Sequence, residues 1–226
     1  MTLMAYGEQP LTRVLLVRHA QSHASVRKVV AGAATCEGLT EHGREQAGRL
    51  AARLAAERLR PDALLTSPVR RARETATVLA AGLGLPEPVV EPEVRELDFG
   101  AADGLSIDEY GRRHGTFDMT AEPDRPFAPG GESWSGFRGR AGRVMGELAD
   151  RYPGGTVLVV CHAGLIVAAT SGLLDVAPPV LFTDASPAAT SVNEFVRSDT
   201  GWSLLRFDDA AHLEGAAGPL PGEPVR

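Results

Sequence analysis

Three short apolar runs in this chain each end in residues able to hold or attack an anion. Leu15-Leu16-Val17 lead into Arg18 and His19. Ala63-Leu64-Leu65-Thr66 lead into Ser67-Pro68-Val69-Arg70-Arg71, and Thr156-Val157-Leu158-Val159-Val160-Cys161 lead into His162-Ala163-Gly164. A guanidinium offers forked donors that match phosphoryl or carboxylate oxygens, which a lysine does less well. A neutral imidazole beside such a cation can attack the bound group or trade protons with it. Any one of these strand ends is commonplace. Together they point to an anion site made from Arg18, His19, Arg71 and His162.

The elements that must carry these residues are legible in the apolar patterning. Short runs rich in Val and Leu and stopped by charge read as buried strands of a parallel sheet, whose carboxyl ends are where such sheets bind ligands. Ser67 suits an N-cap with Pro68 at the first helical position, followed by a stripe of Ala72, Ala76, Leu79 and Leu83. That helix puts Arg71 near the sheet edge. Arg70 and Glu74 are spaced for a surface pair, and Arg73 is expected to be exposed. A helix after Thr40 has Ala47, Leu50, Ala51 and Leu54 on one face. Another from about Ser133 to Arg151 has Phe137, Ala141, Val144 and Leu148. The small residues after His162 open an apolar helix whose free amides favour a phosphate or carboxylate. Late strands fit Ser191 to Arg197 and Trp202 to Phe207 around a turn at Asp199-Thr200-Gly201. The expected fold is α/β, with a mainly parallel central sheet and helices on both faces.

At this point the motifs resemble a family. Arg18-His19 after a strand, Ser67-Pro68-Val69-Arg70-Arg71-Ala72-Arg73-Glu74-Thr75-Ala76, Arg95-Glu96-Leu97-Asp98-Phe99-Gly100, and Cys161-His162-Ala163-Gly164 are similar, in order, to those of the histidine phosphatase superfamily. Gly38-Leu39-Thr40-Glu41-His42-Gly43-Arg44-Glu45-Gln46-Ala47 resembles that family's first helix start, and the likeness runs over about residues 13–208. The group also includes the cofactor-dependent phosphoglycerate mutases. The resemblance implies a phosphoglycerate mutase-like three-layer sandwich and metal-independent hydrolysis of small phosphomonoesters. It implies His19 as nucleophile forming a phosphohistidine, with Arg18, Arg71 and His162 clamping the phosphate. It assigns the proton donor to Glu96, four residues before Gly100. Asp98 and Asp103 are the alternatives, and an ordinary ion pair with Arg95 is the plain reading of Glu96. A mutase using the same basic residues and an idle binder of phosphorylated ligands are the competing functions.

Departures from the family pattern are local. Ala20 replaces a glycine after the first histidine, and Ser25 stands where an asparagine is common, a weaker phosphate ligand. After Gly100 the usual Trp-Glu-Gly is Ala102-Asp103-Gly104, which removes an aromatic wall. Residues 101–131 show little periodicity beyond a short helix after Ser106. The plain reading is a surface insertion; by resemblance they form a lid insertion, with Arg112, Arg113, His114, Arg125 and Glu132 as candidate substrate contacts. Thr190 and Ser191 either line the pocket or form a cross-strand pair.

Composition bounds the rest. At 226 residues and 43% apolar content, the chain supports one sizeable core. The expected organisation is a lead-in over 1–12, one domain over 13–214 and a disordered Gly/Pro-rich tail over 215–226. A net charge of −6 argues against a nucleic-acid surface. Two cysteines, Cys36 and Cys161, argue against a disulfide framework. No signal peptide or membrane-spanning run is visible, so a cytoplasmic protein with a small phosphorylated metabolite as its partner is expected, and Ala-rich helix faces would allow a homodimer. His19 and His23 are four apart, but His19 ends a strand and no second pair accompanies them. No metal and no cofactor are expected, and His23, His42, His114 and His212 are read as surface or loop residues. No Gly-rich loop with a lysine and Ser/Thr is present.

Overall fold

The apolar runs become strands because both their faces are covered. The computed structural model describes residues 11–177 and 186–214. Its strands are β1 (Thr12–Arg18), β2 (Ala63–Thr66), β3 (Val89–Val90), β4 (Thr156–Cys161), β5 (Val192–Ser198) and β6 (Gly201–Asp209), arranged in one sheet in the order β3-β2-β4-β1-β5-β6. β3, β2, β4 and β1 pair in parallel, and β5 runs antiparallel to both its neighbours. The helices are α1 (His23–Val26), α2 (Glu41–Ala56), α3 (Arg70–Leu83), α4 (Ile107–His114), α5 (Trp134–Arg151) and α6 (Ala163–Leu174).

Alternation along each strand sorts its side chains into two cores. Val14 and Leu16 of β1, with Val157, Val159 and Cys161 of β4, pack against Phe137, Ala141, Val144 and Leu148 of α5 and Leu165 to Ala169 of α6. Leu15, Val17, Leu158 and Val160 face the other way, onto Leu50 and Leu54 of α2 and Ala76 and Leu79 of α3. The result is the expected three-layer α/β sandwich. Leu50, Leu54 and Leu79 are fully buried, so truncating any one to alanine would cost about 2–5 kcal/mol.

Differences from the expected elements are small but instructive. β1 begins at Thr12, the last residue of the expected lead-in, while residues 1–10 of that lead-in and the tail over 215–226 lie outside the described residues. β3 and the one-turn α1 went unforeseen, since two and four residues carry too little periodicity. α3 starts at Arg70 rather than at Pro68. Its N-cap is Val69, whose side chain has no oxygen to cap with, and the Ser67 hydroxyl accepts from the Val69 amide at 3.2 Å just ahead of the helix. Thr40 and Ser133 do cap α2 and α5, accepting from the amides of Gly43 and Gly136.

Residues 101–131 are more ordered than an irregular lid. Tyr110 of α4 stacks on Phe127 at 4.3 Å between ring centroids and donates its hydroxyl to the Phe127 carbonyl at 2.9 Å. Phe99 and Phe117 pack edge-on against Phe127 at 5.1 and 5.0 Å. These rings extend the core on the α5–α6 side. Among the described residues, no helix is long and apolar enough to cross a membrane.

Candidate active site

Three adjacent strands end together, and their register decides what meets. Arg18 of β1 lies opposite Cys161 of β4, so His19 and His162 follow side by side; the His19 amide donates to the Cys161 carbonyl at 2.9 Å. β2 flanks β4 on its other side, and the Ser67 amide donates to the Val160 carbonyl at 2.9 Å. The carboxyl ends of β2, β4 and β1 thus present Ser67, His162 and His19 in a row. α3, which begins just after β2, turns Arg71 back over them.

The loop after His19 is held on both sides. The Ala20 amide donates to Thr75 Oγ1 of α3 at 3.0 Å, and the Gln21 amide to Gln46 Oε1 of α2 at 2.9 Å. The start of α2 lies directly on this loop. A Cβ at Gly43 would come within 2.0 Å of the Gln21 carbonyl oxygen, so only glycine fits there. Ala20 is itself fully buried.

His19 Nδ1 lies 2.8 Å from the Ala20 carbonyl, which can only accept, so Nδ1 carries the proton. Nε2 is then a lone pair, and it accepts from Arg71 Nε at 2.8 Å. Arg71 also donates through Nη1 to the Ala31 carbonyl at 2.8 Å and through Nη2 to His162 Nδ1 at 3.1 Å. His162 therefore holds its proton on Nε2, which donates to Ser67 Oγ at 2.7 Å. The two imidazole centroids are 5.3 Å apart and nearly edge to face. His19, His162 and Arg71 are all buried.

Burial chiefly, then the positive charges of Arg71 and Arg18, hold His19 neutral well below the ordinary histidine range. His162 is shifted in the same direction, by burial first and then by Arg71, His19, Arg18 and Arg140. Both rings are therefore neutral. Arg18 sends Nη1 to the Pro187 carbonyl. Its backbone pairs with Thr190 and Ser191, the cross-strand alternative for those two residues.

Glu96 approaches from a different direction, on residues 95–99, which belong to no helix or strand. One carboxylate oxygen accepts from the Leu97 amide at 3.0 Å, the other from the Gly164 amide at the start of α6 at 3.2 Å. Burial raises its pKa above the ordinary glutamate range, against the lowering influence of Arg71, those two amides and Arg18. Arg95 pairs with Glu93 and Glu132, so the plain ion-pair reading of Glu96 does not hold. The alternative acids have local work. Asp98 is exposed and accepts from the Gly100 amide at 3.0 Å. Asp103 accepts from the Gly32 amide at 2.8 Å and from the Thr35 hydroxyl.

Other candidates fall outside the cluster. Ser25 is exposed, and its hydroxyl closes a capping box with Ser22, accepting from the Ser22 amide at 2.9 Å. Glu132 is bound to Arg140, and Arg125 to the carbonyls of His114 and Thr116 and to Glu122. Arg113 pairs with Glu109, and Arg112 is exposed. His212 is half-buried rather than on the surface, with Nε2 2.7 Å from the Thr190 hydroxyl. Ser67 and Arg140 were missed as functional candidates. Ser67 was legible only as a helix cap, and Arg140 reads locally as a polar position on α5. Among the described residues, no group of three His, Cys, Asp or Glu side chains is placed to share a metal ion.

Comparison with known proteins agrees with this geometry. The family description "Histidine phosphatase superfamily (branch 1)" matches residues 14–210. The bifunctional protein Rv2228c of Mycobacterium tuberculosis is 35% identical over 186 residues, 81% of this chain and 50% of that protein. The chain thus spans about half the length of this relative. The metal-independent phosphoserine phosphatase of Arabidopsis thaliana is 28% identical over 214 residues, covering 91% of this chain and 85% of that one. Among solved structures, YhfR of Bacillus stearothermophilus superposes with a TM-score of 0.78 at 28% identity, over 90% of this chain and 100% of its own. With paired histidines and an arginine at adjacent strand ends, and a family match running from β1 into β6, the chain belongs to branch 1 of the histidine phosphatase superfamily.

Proposed function

We propose that the chain is a metal-independent phosphatase that hydrolyses small phosphomonoesters through a phosphohistidine on His19. The observation carrying this reading is the tautomer of His19. Its Nδ1–H is tied to the Ala20 carbonyl, and its Nε2 lone pair faces the Arg71 guanidinium where a phosphoryl group would be held.

A phosphomonoester enters by taking the place of the Arg71–His19 bond. Arg71 and Arg18 then turn their donors onto phosphoryl oxygens. Nε2 attacks phosphorus in line as the bond to the ester oxygen breaks, and Glu96 gives its proton to the departing alkoxide. Water next attacks the phosphohistidine, Glu96 takes a proton from that water, and the bond from Nε2 to phosphorus breaks to release phosphate. His162, backed by Ser67, completes the clamp once its Nδ1 takes the remaining proton of an ester that arrives as the monoanion, leaving the bound phosphoryl group as the dianion. The relative named for phosphoserine makes that amino-acid ester the first to try.

The test is phosphate release from a panel of phosphomonoesters, phosphoserine included, by wild type and His19→Ala in the presence of EDTA. Turnover that survives chelation and vanishes with His19 is the expected result. Absence of phosphate release from every ester by the wild type would refute the hydrolase. Transfer to a second hydroxyl without free phosphate would show a mutase.

A further inference from the structure

The proton donor sits on a stretch of chain with no sheet ladder or helix to hold it. Residues 95–99 are irregular, yet Glu96 must keep its carboxyl at the Gly164 amide. What grips this stretch comes from α5. Arg140 is buried, and each of its N–H donors is used. Nε and Nη2 form a fork onto Glu132 at 2.9 and 2.7 Å. Nη1 donates to the carbonyls of Glu93 at 2.6 Å and Arg95 at 3.1 Å, and Nη2 to that of Glu96 itself at 3.2 Å. Glu132 closes the frame from the other side. Its carboxylate accepts from the Asp98 amide at 2.9 Å, and its own amide donates to the Asp98 carbonyl at 2.9 Å. The guanidinium also lies over the Phe137 ring, 4.7 Å from its centroid, on the same helix.

We propose that the Arg140–Glu132 pair is the positioning device for Glu96, setting the height of its backbone so that the carboxyl reaches the leaving group. The proposal rests on Glu96 being the proton donor. Among the described residues neither member of the pair hydrogen-bonds the histidines or Arg71, and the charge by which Arg140 acts on His162 is kept in a lysine, so that substitution isolates leaving-group protonation. A lysine cannot substitute, because an ammonium has three donors and no fork for the carboxylate.

The test compares single-turnover formation of the phosphohistidine, the step before water attacks, from an alkyl phosphate that the wild type hydrolyses and from p-nitrophenyl phosphate, whose leaving group departs without a proton. Arg140→Lys is expected to lower the single-turnover rate on the alkyl ester by about 100-fold, the scale for a misplaced reacting group, with substrate affinity and the rate of the p-nitrophenol burst little changed. Glu132→Gln, which keeps the shape and an acceptor for the Asp98 amide, should show the same selectivity in weaker form. It serves as the test if the lysine variant does not fold. Neither variant should slow a Glu96→Gln background further on the alkyl ester. Equal losses on both esters in folded protein would overturn the proposal and leave Arg140 a structural anchor. If Glu96→Gln alone slows both esters equally, the donor assignment falls, and the proposal with it.

Discussion

Replacing Gly164 with alanine separates the placement of Glu96, the proposed proton donor, from the stability of the fold. Gly164 is the second residue of α6 and has helical backbone, so alanine there would favour the helix by about 1 kcal/mol. Its Cβ, however, would lie 2.2 Å from Glu96 Oε1, 3.0 Å from Glu96 Cδ and 3.2 Å from a Phe137 ring carbon. Ordinary contact is about 3.5 Å, so the carboxylate must withdraw by about 1.3 Å from its present 2.2 Å. The yielding group is the far end of a flexible side chain, so the cost falls on the site and little on the core. A displacement of that size costs about 100-fold in rate, or about 2.7 kcal/mol of barrier. The assay is kcat on an alkyl phosphate together with thermal unfolding. The expected outcome is a roughly 100-fold loss with Tm unchanged or raised. Wild-type turnover in a folded Gly164→Ala protein would refute the reasoning, because it would mean that Glu96 can leave the Gly164 amide without consequence.

Two further perturbations test the electrostatics. His19 and His162 are neutral in the native state well below 6.5, but each takes up a proton near that pH when unfolded. Stability is therefore full above about pH 6.5 and falls as pH drops, by about 1.4 kcal/mol per unit for each histidine. His212, held at about 4 mainly by burial, adds its proton between 6.5 and that value. Glu96, raised by burial, works the other way, its contribution being lost as pH rises through its native pKa. Urea unfolding at pH 7, 6 and 5 should show the decline, and a flat profile would contradict neutral buried histidines. Arg71→Lys leaves a cation but cannot reach His19, Ala31 and His162 at once. Losing one or two charge-assisted bonds at about 1.5–3 kcal/mol each should lower kcat/KM at least 10-fold; equal activity would show that point charge is enough.

Much of the fold was legible because its signals are local. Continuous Val/Leu runs mark strands covered on both faces, and the stripes in α2, α3 and α5 mark the faces that cover them. Thr40 and Ser133 announce helix starts with their own hydroxyls. Ser67 carried the same announcement and did not cap. The helix starts two residues later than expected, and the hydroxyl takes both the Val69 amide and, at 2.7 Å, His162, a partner 95 positions away that exists only once β2 and β4 pair. The order of residues 101–131 escaped for a related reason. Phe99, Tyr110, Phe117 and Phe127 have no common period, so their stacking follows from where the chain returns, not from any repeat.

The sequence by itself determined which residue types end the strands, and hence the chemistry: a neutral imidazole, arginine forks and a glutamate near a glycine turn. Tertiary structure alone decided their states and their neighbours. Pairing of β1 with β4 sets the two imidazoles 5.3 Å apart, and burial with Arg71 and Arg18 keeps them uncharged. It also assigned Glu132 to Arg140 rather than to substrate, and left Asp98 exposed and Asp103 bonded to Gly32 and Thr35, while Glu96 is the acid held at the start of α6. Strand ends are written in neighbouring residues, but desolvation and long-range hydrogen bonds belong to the packed chain, because both depend on what excludes water from a group.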